Sequence, residues 1–294
     1  MTDGAVVVMN PRSGGEKVAR FGLVERAEAA GAQVRLTGPD QDPASLARAA
    51  IAEGATVLGV AGGDGTVAAV AAVAAEAQRP LVVIPAGTRN HFARDLGLNI
   101  ANPASALAAL DTGDVASIDL GWVGSRVFVN NVSFGAYADA LLTPGYREAK
   151  ARAFAEIAPG YLGGHEFVDA IVDTPQGPVE YPQVILVSNN PYRLSPPRRL
   201  GRPTLDSGLL GGIVLKRPAG ALPPVLLPRL RRELRQGDAG QTDEGVITWT
   251  APRITLHGAA ARLPAGIDGE VVLLDLPIVC EIRPGALQVR VPRP

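Results

Sequence analysis

The 294-residue sequence predicts an α/β domain built on a parallel sheet, followed by a β-rich, sandwich-like second domain. Three observations carry that prediction. Nearly continuous apolar runs alternate with helical patterns through residues 1–122, as in a parallel sheet covered on both faces. Three of those runs end in loops rich in glycine, proline and hydroxyls. From Val123 the helical alternation stops, and short strand-like segments separated by Gly or Pro follow to about residue 285.

Each element has its own signal. "AVVVMN" (5–10) is β-branched and apolar, and it runs through the turn residues "PRSGG" into a helical spacing of Val18, Phe21, Val24 and Ala27. "AQVRL" is the second strand. Asp42 and Pro43 supply an N-cap and a first helical residue to "DPASLARAAIAEGA". "TVLGVAGG" is a third strand, followed by an alanine-rich helix over Val67–Ala77. "PLVVIP" is the fourth, with a Gly-Thr turn and a helix from about Arg89. In the second half the strand-like segments are "RVFVNNVSFG", "FVDAIVD", "YPQVILVSN", "GGIVLKR", "GVITWT", "RITLHG", "EVVLLDLPIVCEI" and "ALQVRV", with "DTPQGP" as a hairpin loop.

Composition narrows the function classes. With 28 basic and 29 acidic side chains the net charge is −1, so no broad cationic field exists for nucleic acid. Any phosphate binding has to be local. A single cysteine, Cys280, excludes an intramolecular disulfide. "AVVVM" lacks the flanks of a signal peptide, and no apolar run reaches the ~18 residues that span a bilayer, so a cytoplasmic location is expected.

Three loops fall at C-terminal strand ends: "NPRSGG" (10–15), "GGDGT" (62–66) and "PAGTRN" (85–90). Ligands of parallel α/β sheets bind at that edge. Glycine lets backbone N–H groups approach an anion, and a following helix N-terminus adds positive partial charge. Convergence of all three would form a polyphosphate cradle. A tight turn is the ordinary reading of any one loop, and the spacings match neither a Walker loop nor a dinucleotide fingerprint.

"NPRSGG", "GGDGT", "PAGTRNHFARDLGL" and the late "GIDGE" (266–270), in this order, resemble the catalytic domain of the diacylglycerol kinase and sphingosine kinase family, especially its soluble bacterial lipid kinases. "GGDGT" alone is shared with NAD kinases and phosphofructokinase-like proteins. The resemblance implies an NAD kinase/phosphofructokinase-like nucleotide-binding domain to which a last strand at about 286–294 returns, a lipid-substrate domain and an active site in the cleft between them. It assigns Asn10, Pro11, Arg12, Ser13, Gly14, Gly62, Gly63, Gly65, Thr66, Val67, Thr88 and Asn90 to ATP, with Thr37 close by. Asp64 would orient nucleotide or metal. A carboxylate beside a polyphosphate is repulsive unless a cation or hydroxyl intervenes, so Mg²⁺ is implied.

The same resemblance makes Asp268 and Glu270 the catalytic acidic pair, one of them the general base. Alternation along an extended segment would point both to one side. A polar β-turn is the other reading, since Asp-Gly is a common hairpin turn. Asp119 fits a family position near the cleft, or equally a strand-end cap. In the resemblance Ser207 stands where soluble bacterial members hold a structural metal with an acid, and Asp206 comes one residue early.

The chain departs from the family pattern at three places. His91 replaces an acid, Val67, Ala68 and Ala69 replace polar residues, and Ser207 replaces the metal-binding acid. The expected activity is ATP-dependent transfer of the γ-phosphoryl group to a hydroxyl of diacylglycerol or a related lipid. An NAD-kinase-like enzyme and a nucleotide- or lipid-binding protein without turnover are the alternatives.

Two segments point to the lipid. Within 136–167, Leu141, Leu142, Tyr146 and Phe154 are candidates to line an acyl channel. Residues 222–235, "LPPVLLPRLRRELR", form an amphipathic pattern suited to peripheral membrane contact, though such helices usually pack on their own core. Strand edges of the second domain leave room for a homodimer.

Overall fold

In a computed structural model, which describes residues 4–135, 138, 166–195, 199–216, 242–243 and 246–293, the chain forms two units. Met1–Leu120 with Arg283–Pro294 make the first, and Gly121–Ile282 the second.

The first unit follows the βα alternation. Its elements are β1 (Ala5–Met9), α1 (Lys17–Arg20), α2 (Leu23–Ala29), β2 (Gln33–Leu36), α3 (Pro43–Ala52), β3 (Val57–Gly62), α4 (Asp64–Glu76), β4 (Leu81–Pro85) and α5 (His91–Asp95). A 3₁₀ segment, Pro103–Leu110, and β5 (Asp114–Val123) complete the run. The strands pair in parallel in the order β2-β1-β3-β4, and β1, β3 and β4 are buried along their whole length. On one face Val7, Met9, Val57, Ala61, Val82 and Ile84 pack with Val18, Leu23, Ala27, Leu107 and Leu110 from α1, α2 and the 3₁₀ segment. α3 and α4 pack on the sheet through contacts with β1, β3 and β4.

Local chemistry sets the element ends. Asp42 caps α3 by accepting from Ala44 N–H at 3.0 Å and Ser45 N–H at 3.2 Å, with Pro43 at the first helical position. The helical spacing over 18–27 is split in two: Gly22, at φ 55°, breaks α1 from α2. α4 begins at Asp64 rather than Val67, because Gly63 takes the N-cap position with φ −82° and ψ 175°.

The second unit is built from strands. They are β6 (Arg126–Phe128), β7 (Asn131–Gly135), β8 (Ile171–Thr174), β9 (Gly177–Glu180), β10 (Val184–Asn189), β11 (Arg193–Ser195), β12 (Arg199–Gly201), β13 (Leu210–Leu215), β14 (Thr242–Asp243), β15 (Val246–Ala251), β16 (Arg253–His257), β17 (Arg262–Ile267) and β18 (Glu270–Asp275), with the start of β19 (Ile278–Val291). Seven form an antiparallel sheet in the order β14-β15-β13-β10-β7-β17-β18. β16 pairs antiparallel with β8 and with residues 278–281 of β19, and β8 turns back on β9 across Pro175–Gln176. One core joins both groups: Val132, Phe134, Ile185 and Val187 pack with Val172, Ile254, Leu256 and Cys280.

The later half of β19 belongs to the first unit, where Val289 and Arg290 pair in parallel with Leu81 and Val82. Leu141, Leu142, Tyr146, Phe154 and the segment 222–235 lie outside the described residues. Among the described residues no helix is long and apolar enough to cross a membrane.

Candidate functional site

The three loops at the C-terminal ends of β1, β3 and β4 converge. Asn10 N–H donates to Ala61 O at 2.8 Å, which ties the first loop to the end of β3. A Cβ on Gly14, whose φ is 59°, would lie 2.3 Å from Ala86 O and 2.8 Å from Gly87 O. A Cβ on Gly87 would lie 2.4 Å from Gly63 Cα and 3.0 Å from Gly62 O. At these positions only glycine permits the loops to touch.

Side chains then lock the approach. Lys17 Nζ donates to Gly87 O at 2.9 Å, bridging the start of α1 and the third loop. Asn90, buried and left-handed at φ 53°, accepts from Gly87 N–H at 2.8 Å and donates to Gly87 O at 2.8 Å. Asp64 reaches across to α5, where its carboxylate accepts from His91 N–H at 3.3 Å and Phe92 N–H at 3.2 Å. Arg12 donates to Pro39 O at 2.7 Å, and its N–H donates to Asn10 Oδ1 at 3.1 Å. Ser13 N–H donates to Asn10 O at 3.2 Å, closing the turn after Pro11. Buried Thr37 is held beside this loop by its N–H to Met9 O at 2.9 Å.

The expected nucleotide residues therefore take different places. Gly63 at the N-cap and Asp64, Gly65 and Thr66 in the first turn of the 13-residue α4 are half-buried, and this N-terminus carries no side-chain cap. Those amides are free of an internal cap, as an anion site requires. Thr88 is exposed. Val67 is buried at 3% exposure and faces the core, so its side chain is a packing group, and its N–H is already used on Gly63 O in the first turn of α4. Asn90 has both ends of its amide engaged on Gly87, so it shapes the third loop.

Lys17 was not legible as a site residue, since its spacing is that of an ordinary helix start. Arg94, one turn into α5, keeps a buried Nε without a hydrogen-bond partner. Partial burial lowers the pKa of His91 from 6.5; Asp64 opposes the shift, while Arg89 and Arg94 add to it. The imidazole is thus favoured in its neutral form.

Asp268 and Glu270 belong to the second unit, and the segment is not extended. Ile267 pairs with Glu270, and between them Asp268 (φ 47°) and Gly269 (φ 91°) form a two-residue hairpin turn with both residues left-handed. Alternation therefore does not relate the two acids. Asp268 accepts from the N–H groups of Val129 at 2.8 Å, Asn130 at 2.8 Å and Asn131 at 3.1 Å, while its own N–H donates to Asn131 O at 3.0 Å. Glu270 is exposed at the start of β18. Asp119 is buried and accepts from Gly285 N–H at 2.9 Å, within the first unit.

Asp206 and Ser207 turn to different partners. Asp206 accepts from Thr204 Oγ1, while Ser207 Oγ accepts from Asn190 Nδ2 at 2.8 Å. Among the described residues no group of three or more His, Cys, Asp or Glu is placed to hold a metal ion.

A family model for the diacylglycerol kinase catalytic domain matches residues 4–123. A "Probable lipid kinase YegS-like" of Pseudomonas fluorescens is 44% identical over 116 residues, 38% of this chain and 38% of that protein. The diacylglycerol kinase of Mycobacterium tuberculosis is 40% identical over 116 residues, again 38% of each. These alignments span well under half of the relatives' length. A longer one, to a "Probable lipid kinase YegS-like" of Pseudomonas savastanoi, is 31% identical over 277 residues, covering 88% of this chain and 83% of that protein. Among solved structures, a diacylglycerol kinase from Bacillus anthracis matches with a TM-score of 0.68 at 18% identity, over 98% of this chain and 96% of that one. A second crystal structure from the same organism gives 0.73 at 19% identity with the same coverage. At that identity the two structures speak to fold alone.

Proposed function

The chain belongs to the lipid kinase family that carries the diacylglycerol kinase catalytic domain, and from that membership we propose that it transfers the γ-phosphoryl group of ATP to a hydroxyl of diacylglycerol or a related lipid. The observation that carries the reading is the contact of three glycine loops at one sheet edge, Gly14 against Ala86–Gly87 and Gly87 against Gly63.

The donor set fits a polyphosphate. Amides of Gly63, Asp64, Gly65 and Thr66 open the uncapped α4, and the hydroxyls of Ser13, Thr66 and Thr88 with the Lys17 ammonium supply further donors. The Asp64 carboxylate accepts two N–H bonds from α5 and keeps lone pairs to spare, so Asp64 is the residue that would face a divalent cation held by the phosphates. Bound Mg²⁺–ATP would supply the phosphoryl group and the charge neutralisation. Lys17, anchored on Gly87 O, would orient phosphate oxygens with its remaining donors. Glu270 accepts the proton of the lipid hydroxyl, because Asp268 has its carboxylate committed to three backbone amides.

The test is transfer of γ-label from ATP with Mg²⁺ to lipids in mixed micelles, beside Asp64→Asn and Glu270→Gln. Labelled lipid that falls by two or more orders of magnitude in both variants supports the reading. Protein that binds ATP and labels no lipid in any class sinks it and favours a binding role without turnover.

A further inference from the structure

We propose that Arg202 is a positioning residue: with Asp268 it clamps the segment Val129–Asn131 from its two polar ends, and the clamp fixes the turn from which Glu270 departs. The consequence for turnover rests on the lipid kinase reading, whereas the clamp itself is geometric.

Arg202 is buried at 3% exposure. Its Nη1 donates to the carbonyls of Val129 and, at 2.9 Å, Asn189, and its Nη2 donates to Asn130 Oδ1 at 2.9 Å. Its guanidinium lies 5.8 Å from the ring centre of Tyr192, whose hydroxyl accepts from Asn131 Nδ2 at 3.1 Å. A buried cation is strongly disfavoured unless its donors are met, and here Val129 and Asn130 of the segment that Asp268 holds, with Asn189 of β10, supply acceptors to it.

The charges are placed on the right ends of the peptide units. The Asp268 carboxylate takes the amide hydrogens of residues 129–131, and the Arg202 guanidinium takes a carbonyl and a side-chain oxygen of the same segment. Each charge polarises the peptide groups so that they bond the other more strongly. Loosening Arg202 therefore weakens the amides as donors to Asp268, 66 positions later in the chain. Asp268 is left-handed at φ 47° and two residues from Glu270, so freeing its carboxylate releases the turn. Lysine cannot replace the grip, because an ammonium lacks the planar fork that reaches three acceptors in different directions.

The test is hydrogen exchange on Arg202→Lys and on Asn130→Ala, which removes one acceptor without removing the buried charge. Exchange is followed in peptides covering 126–135 and 262–275, with 57–62 as reference. The proposal expects exchange in both clamp peptides to rise roughly ten- to a hundredfold, the factor for a lost charge-assisted hydrogen bond, with 57–62 unchanged. It also expects kcat for lipid phosphorylation to fall by a similar factor while KM for ATP holds. Unchanged exchange around Asp268 in either variant overturns the clamp, and raised exchange with unaltered kcat reduces Arg202 to a structural residue. A wild-type protein that phosphorylates no lipid removes the kinase reading, and the exchange measurement then decides the clamp by itself.

Discussion

Asn90 closes on Gly87 with both ends of its amide, accepting the Gly87 N–H and donating to the Gly87 carbonyl, each at 2.8 Å. The same carbonyl also receives Lys17 Nζ at 2.9 Å, so one backbone group ties the third loop to the start of α1. Asn90→Ala removes two buried hydrogen bonds and leaves Gly87 N–H unmet, an expected loss of about 2–4 kcal/mol. Asn90→Asp keeps the acceptor and loses the donor, so its cost should fall between. Thermal unfolding with ATP titration checks both, and ATP affinity should drop in the same order.

Gly14 and Gly15 are neighbours with different duties. Both are left-handed, at φ 59° and 70°, yet a Cβ on Gly14 would meet two carbonyl oxygens and one on Gly15 meets nothing within 4 Å. Gly15→Ala should cost only about 1–2 kcal/mol for the left-handed backbone. Gly14→Ala must also push the first loop off Ala86–Gly87, so it should cost more and abolish nucleotide binding. Equal ATP affinity of the two variants, by calorimetry, would refute loop contact as the basis of the site.

The neutral preference of His91 gives a pH dependence with a definite sign. Its folded pKa lies below 6.5, so between the two values the unfolded chain binds more protons and stability falls as pH falls. The contribution is complete above 6.5 and is lost as pH drops through 6.5 towards the folded pKa. His91→Gln should flatten that part of the stability curve in denaturant titrations between pH 7.5 and 5, and an NMR titration of the ring should show a midpoint below 6.5 in the wild type.

Cys280 is fully buried in the second unit's core, and burial pushes its thiol up to about 12. At pH 8 only about one thiol in ten thousand is ionised, before access is counted. A thiol reagent should leave the native protein unlabelled for hours and label it at once in denaturant. Prompt native labelling would mean that the core around Ile254, Leu256 and Ile278 opens readily.

The first unit was legible because its signals are local. β1, β3 and β4 are continuous apolar runs, Asp42 and Pro43 announce α3, and the glycines of three loops lie in sequence just after strands. The break at Gly22 and the 3₁₀ run Pro103–Leu110 were not, since neither changes the apolar spacing that marks a helix. "IDGE" misled in one respect: the sequence permits an extended segment or a turn, and the pairing of Ile267 with Glu270 selects the turn.

By itself, then, the sequence determined the βα order, the three glycine loops at strand ends, the strand-rich second half and the positions of the candidate acids, because periodicity, caps and glycine spacing act over a few residues. Only the tertiary structure decided what those residues do. Asn90 became a brace, Val67 a core residue, Asp268 a bracket on three amides, and Lys17 a cation anchored on a distant carbonyl. Arg202 shows the reason most plainly. Its partners at 129, 130 and 189 lie up to 73 positions away, and nothing in the neighbouring "LGRPT" distinguishes a buried guanidinium from a solvated one until the strands bring those oxygens around it.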